Sequence, residues 1–100
     1  LRLPGETAVV DCVTLWLANL FADHAADLDR SLAAAKNEFA GWAEIGCDLF
    51  VVTNEIGMGV HAATAVGRKF VELQGFLNQE IARAADAVTL MVSGLPLRVR

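Results

Sequence analysis

The run CDLFVVT, residues 47–53, is short and apolar, and it is followed at once by NEIGMG, residues 54–59. A run of that length reads as a strand covered on both faces, as strands of parallel sheets are. A hairpin would need a returning strand. Instead Val66, Phe70, Leu73, Leu77 and Ile81 recur at helical spacing, with Arg68, Lys69, Glu72, Glu80 and Arg83 largely elsewhere on the helix. A strand left through a long helix rejoins its sheet by a right-handed crossover, which makes the pairing parallel. The fold class is therefore α/β. The break after Thr53 becomes the carboxyl end of a sheet strand, where open α/β proteins gather ligand groups.

The rest of the chain fits that frame. Thr7–Val10 is a short strand after the turn signal Pro4-Gly5, and it ends at Asp11. CVTLWLANLFAD is apolar nearly all round and reads as a short helix buried on several sides. Between Ala25 and Glu44, Leu28, Leu32, Ala35, Phe39 and Trp42 step by four, three, four and three, an amphipathic stripe that Gly46 stops. AVTLMVS is a further strand, and GLP turns the chain into a last antiparallel strand, Leu97 to Val99. The order β-α-α-β-α-β-β implies a mostly parallel sheet of three or four strands with flanking helices. With no repeat or linker in its 100 residues, the chain reads as one domain segment, and that length buries roughly 60 to 70% of an extended chain's surface.

Composition excludes some functions. A net charge of −4 leaves no basic stripe to displace phosphate counterions, so nucleic acid is not an expected partner. The apolar runs are broken by Asp, Asn, Gly and Pro before reaching the roughly 18 residues of a membrane span. Cys12 and Cys47 have no CxxC spacing and no His cluster, so they read as reduced, buried thiols of a cytoplasmic protein. With 55% hydrophobic and 20% charged residues, the chain has more apolar surface than a lone domain of this size needs, and it is expected to pack against something else. It opens LRLPGETAVVDC, without an initiator Met or a signal peptide, like the middle of a longer protein.

Asp11 sits where a Walker B carboxylate holds magnesium; an Asp there also serves as a turn residue or helix N-cap. Asn54 and Glu55 place an amide and a carboxylate beside a glycine-containing backbone, suited to orienting a nucleotide, a metal-bound water or a hydroxyl acceptor. They equally suit a turn cap and a solvated acid. Gly57 and Gly59 are expected to let the chain turn tightly there. With Ala62 they satisfy GxGxxA, but NEI separates them from the strand and the next strand ends without a ribose-binding acid, so the dinucleotide reading fails. VGRKF lacks the glycine and the Lys-Ser/Thr of a P-loop. His24 reads as a solvated residue between helices and His61 as a helix-start residue close to any ligand at the loop.

Taken in order, VVDCVTLWLANL, FVVTNEIGMGV and GRKFVELQGFLNQEIARAADAVTLMVSGLPLRV resemble the carboxyl-terminal half of the bifunctional adenosylcobinamide kinase and adenosylcobinamide-phosphate guanylyltransferase family. The resemblance covers the chain from Val9 onward except the helix between Asp23 and Gly46. It implies a P-loop, RecA-like α/β enzyme of cobalamin nucleotide-loop assembly. Such an enzyme phosphorylates adenosylcobinamide with GTP or ATP, takes GMP from GTP on a histidine, and passes it to the new phosphate. It implies nucleotide-binding roles for Asp11, Asn54, Glu55, Gly57 and Gly59, magnesium at Asp11, and a homo-oligomer, commonly a trimer.

The family's P-loop and guanylylated histidine lie upstream of the matching region, so neither His24 nor His61 inherits the covalent role, and the segment alone is expected to be inactive. A Val-Pro-Glu-Asn-like segment usual after the glycine loop is replaced by VHAATAVGR. Two alternatives stand beside this reading: a non-catalytic, truncated oligomerisation module, and an unrelated α/β domain whose loop grips a small anion.

Overall fold

The computed structural model describes residues 6–100; the turn expected at Pro4-Gly5 lies outside the described residues. The elements run β1 (Thr7–Asp11), α1 (Val13–Asp23), α2 (Leu28–Ala43), β2 (Asp48–Val52), a 3-10 turn (Ile56–Met58), α3 (Ala65–Ala84), β3 (Thr89–Val92) and β4 (Leu95–Arg98). β1 and β2 pair in parallel, with Val9 opposite Phe50 and Asp11 opposite Val52. Successive strand residues point to opposite faces. Val10 and Val51 pack onto the helices. Val9, Phe50 and Val52 remain 58%, 60% and 45% exposed. This corrects the expectation of a strand covered on both faces: all three helices whose buried residues form the core lie against one face, and the other apolar face is bare.

The core is built from residues one helical turn apart. Val13, Leu17 and Phe21 of α1, Ala35 and Phe39 of α2, and Leu73, Leu77 and Ile81 of α3 are buried together. Aromatic contacts join the helices, with Trp16 and Trp42 ring centroids 4.6 Å apart and those of Phe21 and Phe70 5.6 Å apart. Helix α1 is not buried on several sides, since Leu15 is 70% exposed. In α2 the buried stripe is Ser31, Ala35 and Phe39, with Leu28, Leu32 and Trp42 only partly covered. Helix α2 starts at Leu28, later than the sequence indicates. Ala25 and Ala26 both adopt positive φ, and Asp27 then caps the helix by accepting from the Arg30 amide at 2.9 Å.

The antiparallel end of the chain turns earlier than GLP. Ser93 and Gly94 have φ of 51° and 77°, the two left-handed positions of a two-residue hairpin, and Leu95 and Pro96 already belong to β4. Pro96 lacks an N–H, which β4 tolerates because among the described residues it pairs only with β3. Arg100 closes the fold by donating from Nη1 to the Ala82 carbonyl at the end of α3, at 2.8 Å.

β3 does not join β1 and β2; among the described residues the strands form two separate two-stranded sheets. Chain order fixes a crossover but not which strands become neighbours. Here α3 delivers β3 to the far side of a groove of about 1450 Å³, lined by Asp48–Glu55 on one side and by Ala84–Met91 on the other. Each strand edge facing this groove lacks a paired strand among the described residues. No helix among the described residues is long and apolar enough to cross a membrane.

Two stability outcomes follow from this packing. Leu77 is fully buried, so Leu77→Ala should lower the unfolding free energy in urea by about 2–5 kcal/mol. A left-handed conformation costs a residue with a Cβ roughly 1–2 kcal/mol, so Ala25→Gly should raise the urea midpoint rather than lower it.

Candidate functional site

Because β1 and β2 are parallel, their carboxyl ends lie at the same end of the sheet. Asp11 is the last residue of β1, exposed and on the bare face with Val9. The N-cap of α1 is Cys12, which makes no side-chain capping bond, so Asp11 is not used as a cap. Thr53, Asn54 and Glu55 follow β2 directly. The pairing therefore brings the carboxyl ends of β1 and β2 side by side, while Asp11 lies on the bare face and Asn54 and Glu55 bond to α1 and α3 on the helix-covered side.

A hydrogen-bonded network holds the loop. Asn54 Nδ2 donates to Thr14 Oγ1 at 2.8 Å, tying the end of β2 to the first turn of α1, three residues past Asp11. Thr53 Oγ1 donates to Asn78 Oδ1 at 2.7 Å, and Gln74 Nε2 donates to both Thr53 Oγ1 and Asn78 Oδ1, at 2.9 and 3.0 Å. Asn78 Nδ2 donates in turn to the Asn54 carbonyl at 3.0 Å and to Glu55 Oε1 at 3.1 Å. Gln74 and Asn78 are buried in α3, where buried amides are costly unless bonded. Gln74 Oε1 has no partner among the described residues.

Thr14, Thr53, Gln74 and Asn78 are the site residues that the sequence reading did not single out. A signal was present: Phe70, Gln74 and Asn78 continue one stripe at spacing four, beside the apolar stripe of Leu73, Leu77 and Ile81. A pair of amides within a core-facing stripe is a buried network waiting for partners.

Beyond Glu55 the chain makes its 3-10 turn. The tight turn expected at Gly57 and Gly59 forms, and neither glycine has a positive φ: it is built from ordinary conformations. A Cβ on Gly57 would meet Val71 Cγ1 at 3.9 Å, an ordinary contact, and one on Gly59 would sit 3.4 Å from the Ile56 carbonyl oxygen. Both glycines line a second cavity of about 430 Å³ with His61, Arg68 and Glu72. Asn54 and Glu55 line the larger groove instead, so the loop divides its residues between two surfaces. His61 is exposed and precedes the helix, whose cap is Thr64. His24, expected to be solvated, is half-buried; it caps α1, and its Nδ1 lies 2.8 Å from the Leu20 carbonyl, which requires that nitrogen to carry the donated proton. Cys12 and Cys47 are half-buried free thiols.

Among the described residues no three His, Cys, Asp or Glu side chains come together as a metal cage. Magnesium needs no such cage when one or two carboxylates hold it and phosphates and water complete its octahedron. Asp11, an exposed carboxylate at the end of β1, has the chemistry such an ion takes.

The comparisons with known proteins agree with this architecture. A family model described as cobinamide kinase / cobinamide phosphate guanyltransferase matches residues 2–99. The chain is similar to the bifunctional adenosylcobalamin biosynthesis protein CobU of Escherichia coli, 31% identical over 108 residues, spanning 97% of this chain and 60% of that protein. It is also similar to the bifunctional adenosylcobalamin biosynthesis protein CobP of Pseudomonas aeruginosa, 37% identical over 97 residues, spanning 96% of this chain and 54% of that protein. The chain thus spans little more than half the length of these curated relatives.

The loop geometry separates two glycines experimentally. Gly57→Ala should leave the melting temperature nearly unchanged. In Gly67→Ala the new Cβ would lie 2.9 Å from Thr64 Oγ1, the atom that caps α3 by accepting from the Gly67 amide. Displacing that cap should cost about 1 kcal/mol, read from thermal unfolding.

Proposed function

The chain belongs to the cobinamide kinase / cobinamide phosphate guanyltransferase family, and on that premise we propose that it is the carboxyl-terminal half of a P-loop, RecA-like enzyme of cobalamin nucleotide-loop assembly. In the kinase step the terminal phosphoryl group of GTP or ATP passes to the hydroxyl of adenosylcobinamide. In the second step GMP passes from GTP to that phosphate by way of a histidine, and pyrophosphate leaves. The observation that supports this reading most directly is the parallel register that sets Asp11 and Asn54–Glu55 at adjacent carboxyl strand ends, the position at which α/β sheets take ligands.

Within this reading the residues have separate tasks. Asp11 would hold the magnesium ion that accompanies the nucleotide, and that ion would supply charge neutralisation for the phosphates. Asn54 and Glu55 orient the nucleotide or the accepting hydroxyl beside it, and the nucleotide-binding role of Gly57 and Gly59 rests on the family resemblance. His24 bonds the Leu20 carbonyl through Nδ1, and its exclusion from the covalent role rests on the family resemblance, which places the guanylylated histidine upstream.

The phosphate cradle and the guanylylated histidine belong, in this proposal, to an amino-terminal half outside this chain. Its support is threefold: the relatives are longer, the strand edges facing the large groove are unpaired, and Val9, Phe50 and Val52 form a bare apolar face. Unpaired edges and apolar faces of this kind are covered in finished proteins. The same exposed surface supports assembly into a homo-oligomer, a trimer on the family resemblance, and it is also what favours the second reading, a non-catalytic interaction module. The setting proposed for the enzyme is the cytoplasm.

In the complete polypeptide, Asp11→Asn and Glu55→Gln should each lower at least one of the two activities by about 10²-fold, consistent with loss of a group that positions reacting atoms. Separate assays of hydroxyl phosphorylation and guanylyl transfer check this, and wild-type rates for both variants in both assays would remove these carboxylates from the site. Calorimetry of the chain alone with GTP and magnesium should give little or no heat of binding.

A further inference from the structure

We infer that Asn78 is a positioning residue that fixes the orientation of the Glu55 carboxylate, with Gln74 and Thr53 fixing the orientation of the Asn78 amide; this rests on the placement of Glu55 in the active cleft proposed above. The Asn78 amide is used at both ends. Its oxygen accepts from Thr53 Oγ1 and Gln74 Nε2, and its nitrogen donates to the Asn54 carbonyl and to Glu55 Oε1. A primary amide offers two donors and two acceptor positions, so all four are engaged. Turning the amide over would set its oxygen against a carbonyl and a carboxylate, both of which only accept, and its nitrogen against the Gln74 amide nitrogen. One orientation is therefore enforced.

That orientation is transmitted from the core. Asn78 lies between Leu77 and Ile81, both buried, on a helix of 20 residues, and is itself only 9% exposed. Glu55, in contrast, is exposed and lies in neither helix nor strand, with φ of −90° and ψ of 70°. Among the described residues, Asn78 Nδ2 is the side-chain donor that reaches the Glu55 carboxylate, and it binds Oε1. The bond to the Asn54 carbonyl holds the backbone immediately before Glu55, so one amide constrains both the stem and the tip of that side chain. A carboxylate held by one oxygen on a rigid helix presents the other in a fixed direction, and errors of about 1 Å in such placement cost on the order of 10²-fold in rate.

The test is a kinetic double-mutant cycle in the complete polypeptide, using wild type, Asn78→Asp, Glu55→Ala and the double variant. Asn78→Asp keeps an oxygen for the Thr53 and Gln74 bonds and replaces the donor facing Asn54 and Glu55 with a charged oxygen that repels the Glu55 carboxylate. Asn78→Ala, which removes the donor without adding charge, is therefore run beside it. In the step that Glu55→Ala slows, Asn78→Asp should lower kcat by about 10- to 100-fold, with KM for the nucleotide changed by less than about threefold. In the Glu55→Ala background the same substitution should change kcat by less than about twofold, because no carboxylate remains to be held. Asn78→Ala, read through the same cycle, serves alone if Asn78→Asp does not fold. Equal losses in both backgrounds, or an undiminished kcat in Asn78→Asp, would overturn the positioning role alone. Wild-type rates in Glu55→Ala would overturn the placement of Glu55 in the cleft and the inference with it.

Discussion

The seating of α3 on the core is the constraint from which the site's geometry follows. Leu73, Leu77 and Ile81 lock the helix against α1 and α2. The next stripe round the helix then has one position available, under the carboxyl end of β2, and the residues on it are Gln74 and Asn78. Apolar burial supplies the energy and tolerates small changes of angle, whereas the amide network demands one arrangement because unsatisfied buried polar groups are expensive. The two together turn a flexible-looking loop into a defined surface.

The network also links elements that the chain keeps far apart. Asn54 reaches Thr14 at the start of α1, and Asn78 reaches Asn54 and Glu55, so the first turn of α1, the loop after β2 and α3 form one connected unit. A ligand bound at these strand ends would meet groups whose positions are already settled, which limits the ordering cost of binding. The opposite face of the sheet is different in character. Its apolar side chains and free edges are unfinished surface, as fits a chain that spans 54–60% of its curated relatives.

Much of this organisation is legible in the sequence. The apolar run ending at Thr53, the helical period from Val66 to Ile81 and the carboxylate ending β1 predict parallel pairing, and Asp11 lies opposite Val52 in the parallel ladder. The order of motifs identifies the family. Other features depend on backbone conformations that residue type does not specify. Ala25 and Ala26 take left-handed conformations that alanine ordinarily avoids, which delays α2, and the hairpin turns at Ser93-Gly94 instead of at the proline that follows. The loop's tight turn at Gly57 and Gly59 is made without left-handed conformations.

What the sequence determined by itself is periodicity, and with it the α/β class, the crossover and the chain positions at which strands stop. These are local properties, set by which faces of each element must leave water. Tertiary structure alone decided that β3 stands apart from β2, that helices cover only one face of the parallel pair, and that Gln74 and Asn78 grip the loop. Those outcomes depend on which distant surfaces meet, and a hydrogen bond between residues 24 positions apart leaves no periodic trace in the chain that makes it.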